Sequence, residues 1–236
     1  MDEQKPIRVF DWALEELTPE GRAPFVSLIG PHLRGLCEDG DFVIDLCCGS
    51  GPVAFFLEQH GAWVTGVDAA PEMIERARAE AERRGSQVRF FPADVLDLGL
   101  EESFYDLALC LGNALLDFPH HAFPRFRDGV HRILKPGGRL AIDHFDGVTT
   151  VLRHADPAEK VVQEEPERIE RSFRGYDPTL GAFRSEHRNQ SRNEKVDYIG
   201  YVYTGPLLRL ALEPNFHFER SVRIDKAQFL DVFVRD

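Results

Sequence analysis

The sequence predicts an α/β protein with one mostly parallel sheet, helices on both of its faces, and a smaller antiparallel sheet. Three observations support this fold class. Short apolar runs alternate with amphipathic stretches over residues 1–150, as expected for strands joined by helical crossovers. A glycine-rich turn directly follows the first apolar run. After residue 150 the helical pattern gives way to short runs separated by turn residues.

The N-terminal elements follow from local patterning. Apolar residues at helical spacing predict a helix over 20–38, which Gly30-Pro31 interrupts. The third predicted helix has Pro71 in its first turn and Gly85 at its end, the usual start and stop residues. The predicted helices are 20–38, 53–59, 71–84 and 123–134, and the predicted strands are 42–46, 63–68, 88–91, 105–111 and 139–144.

The C-terminal part has a different organisation. Residues 151–166 have an irregular or weakly helical pattern, and three strands follow, separated by turn signals. A helix and two closing strands then complete the main sheet. The three strands are 169–176, 183–192 and 195–203, the helix is 206–212, and the closing strands are 216–223 and 227–234. We therefore predict a core of residues 1–150 and 204–236, with 151–203 as an antiparallel β insertion that caps the active site.

Composition narrows the class of protein. The 236 residues carry a formal net charge of −12, which disfavours a large nucleic-acid interface. No apolar run approaches a membrane span of about 18 residues, and the first residues lack the apolar core of a signal peptide. The four cysteines lack the CxxC spacing of a metal site. We expect a cytoplasmic monomer or homodimer without metal, nucleic-acid or membrane partners.

Side chains that could bind a ligand stand at the ends of the predicted strands. They are Asp45, Asp68, Asp94, Cys110 and Asp143. Because ligands of parallel α/β sheets bind beyond the carboxyl ends of the strands, these residues are expected to converge on one crevice.

The glycine loop Gly49-Ser50-Gly51 is ambiguous by itself. With the following residues it also fits a dinucleotide site, or an ordinary turn. A carboxylate in front of it, Asp45, would crowd a pyrophosphate but suits a ligand with an ammonium group. Asp68 after the next strand can accept ribose hydroxyls, and Asp94 can bind an adenine edge. Together these residues favour a ligand with an amino acid end, a ribose and an adenine, and without phosphate.

Three stretches resemble motifs of one family, the class I S-adenosylmethionine-dependent methyltransferases. Residues 43–51 resemble its first motif, residues 66–74 its second, and residues 134–140 the turn before its fifth strand. The resemblance implies a Rossmann-like sheet with an antiparallel C-terminal strand, and S-adenosyl-L-methionine as cofactor. It places the cofactor at Asp45, Cys47, Cys48, Gly49, Ser50, Gly51, Asp68, Ala69, Met73, Ala93, Asp94, Val95, Cys110, Leu111 and Gly112. The N-terminal Trp12 either covers the cofactor or packs on the core.

A narrower resemblance concerns the methyl acceptor. Residues 110–115 and 142–144 are similar to glycine N-methyltransferases and related small-molecule N-methyltransferases. Those enzymes usually carry a His four residues after the Asn, where this chain has Asp117. The departure argues against glycine itself as substrate.

The predicted activity is methyl transfer to a small molecule, with N-methylation of an amine favoured and O-methylation as the alternative. Asn113, Asp117 and His144 are the predicted catalytic or substrate-orienting residues, because a carboxylate or imidazole can assist deprotonation of a nucleophile. His120, His121 and Asp143 are further candidates. A nicotinamide-dependent oxidoreductase and a non-catalytic S-adenosylmethionine-binding protein remain as alternatives.

Overall fold

The computed structural model describes residues 22–154, 161–163 and 168–236, so the predicted cofactor contact Trp12 lies outside the described residues. The helices are α1 Ala23–Leu33, α2 Pro52–Glu58, α3 Pro71–Arg84, α4 Phe123–Ile133, α5 Gly147–His154 and α6 Gly205–Leu212. The strands are β1 Phe42–Leu46, β2 Trp63–Asp68, β3 Arg89–Pro92, β4 Tyr105–Cys110, β5 Leu134–Phe145, β6 Val161–Gln163, β7 Ile169–Asp177, β8 Ala182–Asn189, β9 Glu194–Tyr201, β10 Phe216–Arg223 and β11 Gln228–Arg235.

A seven-stranded sheet forms the centre of the molecule. Its strand order is β10-β11-β5-β4-β1-β2-β3. The pairs among β1 to β5 are parallel, whereas β11 runs antiparallel to both β5 and β10. The predicted mostly parallel sheet with an antiparallel C-terminal strand is therefore confirmed. The strand order reverses beside β1, so the carboxyl ends of β1 and β4 flank the place where such sheets bind ligands.

Two hydrophobic layers hold the helices against this sheet. On one face, residues of α1, α2 and α3 such as Ile29, Leu57 and Ile74 are buried against alternate side chains of the strands. On the other face, α4 and α6 bury residues such as Phe126 and Leu208. Each such side chain contributes about 1.5–3 kcal/mol when it is fully buried. Among the helices of the described residues, none combines the length and apolarity needed to cross a membrane.

The fifth strand is longer than the predicted 139–144. Leu134 already pairs with Tyr105, and the next pair joins Arg139 to Leu107, so residues 135–138 bulge out of the ladder. Gly137 has a positive φ of 76° at this place. The Pro-Gly-Gly turn that the sequence indicates is thus a bulge near the start of the strand, because tertiary pairing continues on both sides of it.

A second sheet is formed by the strands between α5 and α6. Its order is β6-β7-β8-β9 with every pair antiparallel. The sequence predicted three of these strands; β6 and α5 lie in or next to the stretch expected to be irregular or weakly helical. The second sheet occupies part of 151–203, and the boundaries of the insertion stay a prediction.

Candidate active site

The turn after β1 places glycines where the backbone is left-handed. Gly49 has φ of 54° and Gly51 has φ of 82°, and Cys47 adopts 60° although it carries a side chain. A Cβ on Gly51 would lie 2.5 Å from the ring of Phe90, whereas a Cβ on Gly49 would meet nothing within 4 Å. Gly51 therefore lets the turn pack on the core, and Gly49 leaves open space at its outer side.

Asp68 connects this turn to the end of β2. Its Oδ2 accepts a hydrogen bond from the Gly49 amide at 2.8 Å, and its Oδ1 accepts one from the Ala70 amide at 2.9 Å. Burial raises the pKa of Asp68, while the two amide hydrogen bonds act in the opposite direction. The predicted ribose-binding carboxylate thus also orders the glycine turn.

Asp45 lies on β1 directly beneath the turn and is buried. Its Oδ2 has no hydrogen-bond partner among the described residues. Burial raises the pKa of Asp45 to about 8, the neighbouring charge of Asp68 adds to the effect, and a hydrogen bond from the Ala54 backbone opposes it. A buried, unpartnered carboxylate oxygen is costly, and a ligand with a cationic donor would stabilise it.

The region after β3 adjoins the end of β2. The Ala93 amide donates to the Asp68 carbonyl at 3.0 Å, which joins the two strand ends. Asp94 is exposed, and its Oδ1 accepts from the Leu96 amide at 2.8 Å. Met73 and Val95 are buried. The structure therefore brings most of the predicted adenine contacts to the same edge, with Asp94 at the solvent side.

The loop after β4 also has a left-handed backbone. Gly112 has φ of 79°, a Cβ added to it would meet nothing within 4 Å, and Asn113 has φ of 62°. The Asn113 amide donates to Asp143 Oδ1 at 3.0 Å, and Gln228 Nε2 donates to Asp143 Oδ2 at 2.7 Å. Asp143 is thus a buried anchor for this loop. Gln228 was missed by sequence reasoning because its partner lies 85 residues away.

Asn113 also carries an unsatisfied group. Its side-chain Oδ1 is buried without a hydrogen-bond partner among the described residues. It follows Cys110, Leu111 and Gly112 at the end of β4, where Cys110 and Leu111 are buried. The predicted methyl-pocket residues are therefore consecutive on one loop, and one of them presents an acceptor that a ligand can satisfy.

Asp117 joins the large sheet to the second sheet. It ends a short 3₁₀ helix, Ala114–Asp117, and its Oδ1 accepts from the Tyr198 hydroxyl on β9 at 3.0 Å. Burial raises the pKa of Asp117 to about 6; the Tyr198 hydrogen bond lowers it and the charge of Asp68 raises it. A hydrogen bond to Cys110 and burial raise the pKa of the Cys47 thiol, and the charges of Asp68 and Asp117 raise it further. Cys47, Asp68 and Asp117 therefore lie close enough to influence one another.

His144 has a different environment. It is buried on β5, its Nε2 lies 3.4 Å from Asp231 Oδ2, and its ring stacks on Phe229. Burial acts to raise the pKa of Asp231, but the nearby His144 imidazole and a hydrogen bond from Ser221 hold it below its usual value. The structure thus pairs His144 with the C-terminal strand, while Asp117 is bound to Tyr198.

The adjacent residues His120 and His121 also differ in their surroundings. His120 is half-buried, and its Nε2 donates to the Val202 carbonyl at 3.0 Å, whereas His121 is exposed. The His120 ring also packs on Tyr203, with centroids 4.8 Å apart. His120 is accordingly a link between the two sheets. Within the described residues, no group of three or more His, Cys, Asp or Glu side chains is arranged to hold a metal ion.

Two solved structures share this architecture over most of their length. The PH0226 protein from Pyrococcus horikoshii OT3 superposes with a TM-score of 0.74 at 21% identity, covering 90% of both chains. An S-adenosylmethionine-dependent methyltransferase from Clostridium acetobutylicum superposes with a TM-score of 0.71 at 15% identity, covering 89% of both. At such identities the likeness shows the fold alone, a Rossmann-like fold as predicted.

Sequence similarity covers part of the chain. Residues 43–138 match a family described as methyltransferase domain. The chain is 36% identical over 105 residues to demethylmenaquinone methyltransferase from Thermus thermophilus, which is 44% of this chain and 46% of that protein. It is 29% identical over 146 residues to ubiquinone biosynthesis O-methyltransferase from Coxiella burnetii. This match covers 59% of this chain and 61% of that protein.

The matched stretches thus span about half the length of these curated relatives. Within that range the order of motifs, the domain match and the fold agree. They agree with the prediction from the sequence, a class I S-adenosylmethionine-dependent methyltransferase, and the match to a methyltransferase domain itself covers residues 43–138.

Proposed function

We propose that this chain transfers a methyl group from S-adenosyl-L-methionine to a small molecule at the carboxyl edge of the large sheet. The observation that carries the proposal is the buried Asp45 carboxylate with its unpartnered Oδ2 among the described residues, directly beneath the glycine turn. This carboxylate is complementary to the ammonium group of the cofactor. It is unsuited to a pyrophosphate, which disfavours the nicotinamide-dependent alternative.

The other residues of the edge fit the remaining parts of the cofactor. Gly49 and Gly112 both leave open space where a side chain would stand, so the ligand can approach the backbone of both loops. Asp68 keeps lone pairs for the ribose hydroxyls beside its two amide hydrogen bonds. The predicted contacts Ala69, Met73, Ala93, Asp94 and Val95 would surround the adenine, and Cys47, Cys48, Ser50, Gly51, Cys110 and Leu111 would line the rest.

When bound, the cofactor supplies an electrophilic methyl group on a sulfonium, so activation does not depend on the protein. The chain has to orient the acceptor about 3 Å from that methyl group and to exclude water. Asn113 borders this place at the end of β4, and Asp117 can accept a hydrogen bond or a proton from the acceptor. His144, paired with Asp231, is better suited to hold β5 and β11 than to touch the acceptor.

The atom that is methylated stays a prediction. N-methylation of an amine is the reaction favoured by the sequence motifs, whereas the two relatives are named for a quinone and for O-methylation. Asp117 can serve either chemistry, because both an amine and a hydroxyl must lose a proton on methylation. A screen of amines and ring hydroxyl compounds with isotopically labelled cofactor would identify the atom.

Calorimetric titration with S-adenosylhomocysteine tests the cofactor assignment. We expect 1:1 binding, at least tenfold weaker in Asp45→Asn and in Asp68→Asn, because each change removes a carboxylate that faces the ligand. Asp97→Asn, at an exposed position that is not among the predicted cofactor contacts, serves as the matched control and should bind normally. Tight binding of NADH together with no binding of S-adenosylhomocysteine would instead support the oxidoreductase. Cofactor binding without methylation of any acceptor would support the non-catalytic alternative.

A further inference from the structure

One face of the second sheet carries aromatic and polar side chains in mutual contact. We call it the Tyr198 face and define it by Phe183, Ser185 and His187 on β8 and Tyr198 on β9. Alternation along β8 puts its three residues on the same side, and Ser185 pairs in register with Tyr198. The Tyr198 ring lies 5.4 Å from that of His187 and 6.1 Å from that of Phe183, between ring centroids.

The Tyr198 face is directed toward the cofactor edge. Its Tyr198 hydroxyl donates to Asp117 Oδ1 at 3.0 Å, and Asp117 stands four residues after Asn113. The hydrogen bond therefore brings β9 next to the loop that follows β4. An acceptor placed near the transferred methyl group would have Asp117 on one side and these rings on the other.

The polar groups of the Tyr198 face carry little charge. Burial, with the charge of Arg171, lowers the pKa of His187 to about 4, so its imidazole is neutral near pH 7. Ser185 Oγ lies 2.9 Å from His187 Nε2, while His187 Nδ1 is buried without a partner among the described residues. On the opposite side, Asp117 and Asp68 are carboxylates. An anionic acceptor would be repelled there.

We propose that the Tyr198 face and Asp117 form the acceptor site, and that it takes a planar ring bearing a neutral O–H or N–H donor. The donor bonds to Asp117, the ring packs on Phe183 and Tyr198, and Tyr198 is a positioning residue that holds Asp117. This inference rests on the proposed function and specifies its substrate class. Edge-to-face and offset ring contacts are the arrangements that aromatic pairs prefer, so the two rings favour an aromatic acceptor over an aliphatic one.

The pH dependence of binding follows from Asp117. Groups that face it are Tyr198 from β9, Asp68 from the end of β2, and the Cys47 thiol from the turn after β1. Arg171 and the neutral His187 lie farther along the second sheet. Because an ionised Asp117 is the better hydrogen-bond acceptor, donor binding should weaken as the pH falls through about 6, the pKa of Asp117.

Fluorescence titration of the S-adenosylhomocysteine complex with four naphthalenes tests the ligand class. We expect 1-naphthol, 1-naphthylamine, or both to bind at least tenfold more tightly than naphthalene and 1-naphthoate. The first two probes distinguish the hydroxyl from the amine. Asp117→Asn should remove this preference. Asp197→Asn, next to Tyr198 in sequence but on the other face of β9 and exposed, should keep it.

Tyr198→Phe tests the positioning role with a readout that a structural role alone would not change. The Tyr198 hydrogen bond lowers the pKa of Asp117, so its loss should move the pH midpoint of naphthol or naphthylamine binding upward. Tyr176→Phe, the same substitution at an exposed position of the second sheet, should leave the midpoint in place.

Three results would overturn the proposal: naphthoate binding as tightly as the donors, an unmoved midpoint in Tyr198→Phe, or no binding of any probe to the complex. The failure of the proposed function is separable, because S-adenosylhomocysteine binding is measured first. If that ligand binds and the probes do not discriminate, the acceptor site alone is wrong.

Discussion

At the scale of single residues, the two glycines of the turn after β1 have different surroundings. Gly51 permits close packing, because a Cβ would enter the Phe90 ring that is itself buried against Phe55. Gly49 has a similar backbone but open space. The two glycines thus differ in their surroundings: Gly51 is packed against a ring, whereas Gly49 borders open space that the proposed cofactor would occupy.

Alanine substitutions should separate the effects of these surroundings. Gly49→Ala is expected to cost about 1–2 kcal/mol of stability for its left-handed backbone and to weaken S-adenosylhomocysteine binding at least tenfold. Gly51→Ala should cost about 1–3 kcal/mol more, because the added methyl overpacks the core. Urea denaturation and calorimetric titration of both variants measure the two effects. Equal stability of the two variants would contradict the packing argument.

A second prediction at this scale concerns the effect of Asp45 on the stability of the ligand-free protein. Its pKa of about 8 exceeds the ordinary aspartic acid value of 3.8, so the folded state binds more protons than the unfolded state between these values. The contribution of Asp45 to stability is therefore greatest at low pH and falls as the pH rises toward 8, by about 1.4 kcal/mol for each pH unit. Asp45→Asn should flatten this decline.

Urea denaturation between pH 6 and 9 measures the slope, and Asp97→Asn is again the matched control. An Asp45→Asn variant with the same slope as the unaltered protein would show that this carboxylate is not the titrating group. Addition of S-adenosylhomocysteine should lower the pKa of Asp45, because its ammonium group stabilises the ionised carboxylate.

At the scale of elements, the bulge of β5 adjusts the register of the sheet. The ladder resumes at Arg139 after residues 135–138, and Lys135 Nζ bonds to both carboxylate oxygens of Asp106 on β4, at 2.7 and 2.8 Å. Correct register then places Asp143 under the loop that contains Asn113. The position of the candidate active site therefore depends on this bulge.

Gly138→Ala tests the bulge. A Cβ at this position would lie 2.8 Å from the Lys135 carbonyl oxygen and 3.2 Å from the Asp106 carbonyl oxygen. Because backbone atoms cannot change rotamer to relieve the clash, we expect the free energy of unfolding to fall by about 1–3 kcal/mol. A lower melting temperature would show this loss. Gly99→Ala, where a Cβ meets nothing within 4 Å, is the control and should change little.

At the scale of the whole molecule, two sheets share one candidate site. The contacts that join them include Tyr198 with Asp117, His120 with the Val202 carbonyl, and the approach of Gly181 to the His120 ring. In the proposed function, the large sheet holds the cofactor, and these contacts let the second sheet contribute to the acceptor site.

His120→Ala should loosen this connection without unfolding the core. Loss of the hydrogen bond to Val202 and of the ring contact with Tyr203 should speed amide exchange in β8 and β9, with little change in β1 and β4. Hydrogen-exchange mass spectrometry provides the measurement. His121→Ala, at the exposed neighbour, should exchange like the unaltered protein, and equal protection in both variants would contradict the linking role of His120.

Most of the large sheet was predictable because its signals are local. Strands appear as apolar runs, helices begin and end at residues such as Pro71 and Gly85, and the carboxylates Asp45 and Asp68 stand next to glycines that a ligand can approach. The Tyr198 contact and the Gln228 anchor were not predictable. Each joins residues more than 80 positions apart, and alternation on a strand does not reveal which face turns inward.

The amino-acid sequence alone was sufficient to predict the α/β fold, the order of the motifs in the stretch that matches a methyltransferase domain, and the loops expected to hold a cofactor. The partners of the candidate catalytic residues follow from the tertiary structure instead, because side-chain pairing depends on register and on packing between distant segments. Asp117 is bound to Tyr198, His144 is enclosed with Asp231, and one oxygen of Asp45 has no partner among the described residues. Because Asp117 is bound to Tyr198, the second sheet is the place to look for the acceptor site.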